Sequence, residues 1–141
     1  MKYLERYVAR GKIGENETVR INVFDGRYDH GVKIVDFKVI RDRPQQGDSA
    51  IGILATEEDA VDPTTVTIDF ADNRQVAWCH EQKDGYYESI IDPENLIIED
   101  LYFTGVTDAG TNDLNYMVVM DRYKLEPFQG SLAIVNNRSQ G

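Results

Sequence analysis

The sequence predicts an all-β domain, an antiparallel β-sandwich or jelly roll of about 8–10 strands with little helix. Three observations predict it. Alternation of apolar and polar residues with a period of two recurs along the chain, as a half-buried strand requires. Clusters of Gly, Pro, Asn and Asp punctuate the alternating runs at sandwich-like spacing. Helical periodicity is almost absent.

Taken in order, Val19, Ile21 and Val23 alternate with Arg20 and Asn22, a clean strand. Asp25 to Gly31 follows, and its Asp25-Gly26 pair and closing Gly31 mark a turn. The next strand runs from Val32 to Ile40. Val32 and Ile34 share one face while Val35, Phe37 and Val39 share the other, so either both faces are covered or a β-bulge shifts the phase near Ile34. Arg41 to Ser49, with Pro44 and Gly47, reads as a loop. Ala50 to Ala55 is a short strand. Thr56, followed by Glu57, Glu58 and Asp59, is placed to cap one helical turn ending at Pro63, the best helix candidate in the chain.

Alternation resumes at Val66, Ile68 and Phe70, predicting a strand from Thr64 to Phe70. Arg74 to His80 is the next, with Val76, Trp78 and His80 on one face and Gln75, Ala77 and Cys79 on the other. Lys83-Asp84-Gly85 is a hairpin-like turn leading into Tyr86 to Ile91. Asp92-Pro93-Glu94-Asn95 has the composition of a type I turn. Leu96 to Phe103, rich in β-branched and aromatic residues, predicts a strand, and Thr104 to Asp113 a polar loop. Asn115 to Tyr123 and Ser131 to Val135 are the final strands, before a polar tail from Asn136 to Gly141. No linker or internal repeat divides residues 1–141, so one domain is expected.

Composition narrows the function classes. The 141 residues are 41% hydrophobic and 28% charged, a globular balance with enough apolar mass for a core. The formal charge is −10, from 25 acids and 15 bases, which suits solubility or docking onto a basic partner. The bases Lys2, Arg6, Arg10, Lys12, Arg20, Arg27, Lys33, Lys38, Arg41 and Arg43 are dispersed, and the last two form a dense pair in a turn-like segment. A phosphate-neutralising stripe needs clustering, so no nucleic-acid partner is expected. A single cysteine, Cys79, excludes an internal disulfide and a thiolate metal cluster. Charges at Lys2, Glu5 and Arg6 stand where a signal peptide needs an apolar run, and no run approaches a membrane span. The chain is expected to fold in a reducing cytoplasm, with no membrane partner and no cofactor.

Candidate chemistry is thin. Asp25, Asp29 and His30 invite a metal reading, as do Asp108 and Asp113, but neither spacing fits an EF-hand loop and turn residues explain both. Cys79 and His80 are adjacent, yet neighbours on a strand point to opposite faces and do not form a thiol–imidazole pair. The two histidines, His30 and His80, carry no zinc-ligand spacing. No nucleophile elbow or phosphate-binding loop occurs, and no carboxylate pair stands out from a solvated background in which Glu57, Glu58, Asp59 and Asp62 are densest. Tyr86, Tyr87, Trp78, Tyr102 and Tyr116 are residue types of a sugar-stacking platform, and equally of a sandwich core or a protein interface. The expectation is no enzyme, with no catalytic, cofactor-binding or metal residues.

Several segments resemble the small virion structural proteins of tailed, particularly marine, bacteriophages. They are Val19-Arg20-Ile21-Asn22-Val23-Phe24-Asp25-Gly26-Arg27-Tyr28, Val32-Lys33-Ile34-Val35-Asp36-Phe37, Asp72-Asn73-Arg74-Gln75-Val76-Ala77-Trp78 and Ile91-Asp92-Pro93-Glu94-Asn95-Leu96-Ile97-Ile98, with the tail Asn137-Arg138-Ser139-Gln140-Gly141. The resemblance implies a non-enzymatic virion component, either decorating or cementing a capsid or belonging to a tail or spike. Its implied partners are other virion proteins and copies of itself. Residues 1–14 and 128–141 are then candidate assembly arms that order only on assembly. The alternative is a carbohydrate- or ligand-binding β-sandwich module that uses exposed aromatics.

Overall fold

A computed structural model describes residues 1–14, 16–44, 47–108, 110 and 112–138. Among them are eight strands and one helix. The strands are β1 (Lys2–Ile13), β2 (Glu17–Ile21), β3 (His30–Arg41), β4 (Ala50–Ala55), β5 (Gln75–Glu81), β6 (Tyr87–Ile91), β7 (Leu101–Thr107) and β8 (Leu114–Lys124), and the helix is α1 (Pro127–Arg138). They form two sheets, a three-stranded one in the order β1-β8-β3 and a five-stranded one in the order β2-β7-β4-β5-β6, with every pair antiparallel. The predicted all-β sandwich is the fold.

The main core lies between the sheets. Phe37, Val39 and Val32 from β3, Val118 and Met120 from β8, and Leu54, Ala77 and Phe103 from the larger sheet are sealed from solvent. A β-bulge reconciles β3 with its sequence: the pairing to β8 slips between Ile34 and Asp36. The extra residue, Val35, faces out, while Val32, Ile34, Phe37 and Val39 all face in. A second slip, between Leu54 and Ala55, opposes Ala77 and then Gln75, which leaves Val76 as the bulged residue. Val76 thus joins the main core rather than sharing a face with Trp78 and His80 as strict alternation predicts.

Four expectations are corrected. No helix follows Thr56: its N–H bonds the Arg74 carbonyl at 2.8 Å and its hydroxyl donates to the Asn137 carbonyl at 2.7 Å, bonds that tie it to the start of β5 and to α1. The chain after it makes only a turn closed by Ala60 N–H on the Glu57 carbonyl at 3.3 Å. Thr64 to Phe70 is not a strand, because the Gln75 side chain supplies what a neighbouring strand would. It accepts from Asp69 N–H at 3.0 Å and donates to the Thr67 carbonyl at 3.2 Å. Leu96 to Phe103 yields a strand only from Leu101, since Ile97 bonds Val32 alone and Ile98 N–H is taken by the Asn137 side chain. That strand then continues through Thr104 to Thr107, in place of the first part of the predicted loop.

The fourth correction is the C-terminal segment. Ser131 to Val135 is not a strand but the middle of α1. Pro127 occupies the first turn, where its missing N–H costs nothing, and Gln129 reaches back to accept from Glu126 N–H at 2.9 Å. Gly130, Ala133, Ile134 and Asn137 recur at helical spacing and make the inward stripe, packed on Leu125, Ile98 and Leu96. Residues 1–14, one of the two candidate arms, supply β1 along the full length of β8. In the other, residues up to 138 belong to α1, and 139–141 lie outside the described residues.

At Gly130 a Cβ would strike the backbone carbonyl of Tyr28. Gly130→Ala should therefore lower stability by about 1–3 kcal/mol through overpacking, outweighing the roughly 1 kcal/mol that alanine gains in helix propensity. Thermal unfolding checks it: a midpoint a few degrees below wild type is expected.

Candidate interaction surfaces

The two sheets differ in what covers their outer faces. On the five-stranded sheet, Ile53, Ala55 and Trp78 face outward and are buried beneath the long β4–β5 connection, with Val61, Ala60 and Val66 from that connection packed on them. The connection is held by Arg74, which binds Asp72 at 2.8 Å and stands 3.8 Å from Glu57 and Asp59. The acidic group Glu57, Glu58, Asp59 and Asp62 is thereby one rim of a lid over the sheet.

Nothing among the described residues covers the outer face of the three-stranded sheet. Strand register defines that face. Arg6 lies opposite Asp121, Val8 opposite Val119, Arg10 opposite Met117 and Lys12 opposite Asn115. On the other side of β8, Lys33 lies opposite Asp121, Asp36 opposite Val119, Lys38 opposite Met117 and Ile40 opposite Asn115. Side chains thus arranged emerge on one face because their neighbours in sequence, such as Ile13, Phe37 and Val118, point into the core. Val8, Val35, Ile40 and Met117 expose 51, 42, 43 and 38% of their surface there.

The same face gathers Arg6, Arg10, Lys12, Lys33 and Lys38. These bases are dispersed in sequence and adjacent in space. Two carboxylates share the face. Asp121 is held by Arg6 in a two-pronged pair at 2.8 and 3.1 Å, and that guanidinium keeps its carboxyl below the usual carboxylate range. Asp36 stands 3.5 Å from Lys38. Lys12 reaches Asp42, just beyond β3, at 3.3 Å. The result is a cationic, partly apolar sheet surface on a chain of net charge −10. A shallow cleft of about 500 Å³ lies along it, between Arg10, Lys12 and Lys38 over Ile40 and Met117.

On the opposite side, a second cleft of about 440 Å³ opens between the five-stranded sheet and α1. Phe70, Trp78 and Leu132 give it apolar walls, and Asp72, Asp92 and Glu94 give it carboxylates. Phe70 stands edge-on to Trp78 at 4.6 Å and is itself 63% exposed. Leu132 and Val135, on the outward side of α1, are 63 and 65% exposed.

The residues singled out from sequence are placed as follows. Asp25 and His30 do meet, with Oδ2 and Nδ1 2.8 Å apart, and Asp25 also faces the Arg122 guanidinium at 3.2 Å. Arg122 is buried, donates to the Val23 carbonyl at 2.9 Å and to the Tyr7 hydroxyl at 3.2 Å, and lies over the Tyr7 ring. Asp29 instead pairs with Arg27 at 2.8 Å. This network ties the β2–β3 connection to β1 and β8. Cys79 points into the core toward the Val39 carbonyl, and burial pushes its thiol up, away from the reactive thiolate. His80 lies on the other face, beside Ile51 and Glu88. His30 is at the far end of β3 from Val39, about 30 Å along a strand rising roughly 3.3 Å per residue, so the two histidines do not converge.

Among the described residues no three His, Cys, Asp or Glu side chains are grouped to hold a metal ion. Of the Asp108–Asp113 stretch, Ala109 and Thr111 lie outside the described residues. The aromatics separate: Trp78 is under the lid, Tyr116 packs on Phe103 at 4.8 Å in the main core, and Tyr87 turns toward Cys79. No helix is long and apolar enough to cross a membrane. Comparison of the chain with protein-family models, curated proteins and solved structures finds no match.

Proposed function

We propose that this chain is a non-enzymatic structural component of a bacteriophage virion, in the capsid or the tail, working through protein–protein contacts. One observation carries the contact-making part of that reading: a sheet face with four exposed apolar side chains and five cations, left open while the opposite sheet is lidded. An uncovered apolar sheet face is costly to leave in water and characteristic of a surface that meets a partner. Mixed cationic and apolar character suits a protein surface with compensating carboxylates, since Val8, Ile40 and Met117 are buried by an apolar partner and offer a phosphate backbone nothing. The virion setting rests on the sequence resemblance, and on that reading the chain folds in the host cytoplasm before assembly.

Val8→Glu with Ile40→Glu should abolish incorporation into particles, measured by quantifying the chain in purified virions. Both side chains are outward, so the thermal midpoint should stay within about 2 °C of wild type, as surface changes do. Undiminished incorporation would sink the reading.

The second reading is carbohydrate capture, and one feature favours it: the cleft beside α1 combines the exposed Phe70 ring with Gln75, Asn95 and Asn136 amides and carboxylates. Glycan binding by the purified chain, lost in Phe70→Ala, would favour it.

A further inference from the structure

We infer that the occupant of the cationic sheet face is the acidic cleft of a second copy of this chain, giving a head-to-tail contact. The inference rests on the face being an interaction surface, as proposed above, and identifies its partner.

Charge and apolarity match. The face presents Arg10, Lys12 and Lys38 around Ile40 and Met117. The cleft presents Asp92 and Glu94 beside Phe70 and Leu132, while the Asp72 carboxylate in its wall is held by Arg74. Each surface has an apolar centre and a charged rim of opposite sign, the arrangement that sets register and suppresses wrong pairings. Among the described residues neither Arg10 nor Lys33 forms an ion pair within its own chain, which leaves both cations for an external carboxylate.

Position decides the symmetry. The face belongs to the outside of the three-stranded sheet, whereas Phe70 and Trp78 belong to the outside of the five-stranded one. Surfaces on opposite sides of a sandwich cannot both be satisfied in one two-fold dimer. They generate a heterologous contact that repeats from copy to copy, closing into a ring or continuing as a filament. This is the geometry that a many-copy structural protein uses.

The test is sedimentation of the purified full-length chain across concentration at low and high salt, with two variants. The face variant carries Arg10→Glu and Lys38→Glu; the cleft variant carries Asp92→Lys and Glu94→Lys. Wild type should associate beyond a dimer and weaken as salt rises, and each variant alone should associate at least about tenfold more weakly, the equivalent of about 1.4 kcal/mol. Mixed together, the two variants should regain association, because each keeps the intact counterpart of the other's altered surface and the two reversed surfaces are themselves complementary in charge. Unaltered circular dichroism guards against misfolding, and Leu132→Ser, which removes apolar area without adding charge, should also weaken association.

A wild type that stays monomeric throughout overturns the inference, as does a dimer that the cleft variant leaves intact. Retention on DNA without self-association overturns it too. If the wild type is monomeric while face variants still lose particle incorporation, the structural role stands and only the identity of the partner falls.

Discussion

Phe103→Ala should cost about 3–5 kcal/mol, a large part of the roughly 5–15 kcal/mol available to a domain of this size. The ring is fully buried at the centre of the sandwich, edge-on to Phe37 at 5.9 Å and tilted against Tyr116 at 4.8 Å. The backbone on two strands has been shaped around it. At Gly52 a Cβ would come within 2.7 Å of both the Phe103 ring and Val39, and at Gly105 one would approach the ring at 3.2 Å and strike Leu114. Glycine is required at these positions because the ring and the aliphatic side chains fill the volume a Cβ needs.

A double-mutant cycle isolates this packing. Gly52→Ala should destabilise the wild type, yet cost less in the Phe103→Ala background, where Val39 alone still competes for the space and can shift into the volume the ring leaves. Urea unfolding of the four proteins measures it. Strict additivity would mean that Gly52 is not glycine on account of the ring.

Asp100→Ala should cost about 2–4 kcal/mol by orphaning donors in the chain that leaves β2. The carboxylate accepts from Val23 N–H at 2.8 Å, from Phe24 N–H at 3.1 Å and from Arg20 Nε at 2.6 Å. It thereby fixes the chain leaving β2, the same stretch that leads to Asp25 and the Arg122 network. Asp100→Asn keeps an acceptor for the two backbone donors and loses only the ion pair with a largely exposed arginine, so it should cost about 1 kcal/mol.

Acid separates the variants further. Burial pushes the Asp100 carboxyl up, but the two backbone donors and the Arg20 guanidinium together outweigh it and hold the group below its ordinary value. A carboxyl depressed in the folded state stabilises fully above its unfolded pKa, near 3.9, and loses that stabilisation as pH falls through the folded value. The stability gap between wild type and Asp100→Asn should therefore be constant at neutral pH and close below about pH 4. A gap that widened on acidification would contradict the arrangement.

How legible the fold was depends on which kind of order each segment uses. β2 is readable because a strand with a core on one side alternates, as Val19 and Ile21 do with Arg20, and β4 and β5, buried on both faces, are readable as apolar runs bounded by turn residues. The bulge in β3 is one of the two readings that the phase change between Val32, Ile34 and Phe37, Val39 allows, and the pairing with β8 decides for it. Thr64 to Phe70 misled because alternation records periodicity and not pairing, and here the Gln75 amide took the place of a partner strand. The helix was missed because Leu132, Ala133, Ile134 and Val135 form a continuous apolar run suited to a strand. The signals that identify it were present: Pro127 at the first turn, Gln129 at the capping position, and an inward stripe at 130, 133, 134 and 137.

The open cationic face was not legible at all. Arg6, Arg10 and Lys12 lie in β1 and Lys33 and Lys38 in β3, and the strand that brings them together, β8, is contributed by the far end of the chain. Alternation in each strand decides that these side chains share a direction within that strand. Which strands are neighbours is a long-range choice, made by hydrogen-bond pairing and core packing together. The sequence by itself determined an all-β sandwich, a Cys79 that cannot pair with His80 and the position of most turns, because these follow from local periodicity and backbone sterics. Only the tertiary structure decided that one sheet is lidded and the other bare, that dispersed bases become one surface, and that an acidic cleft stands opposite it.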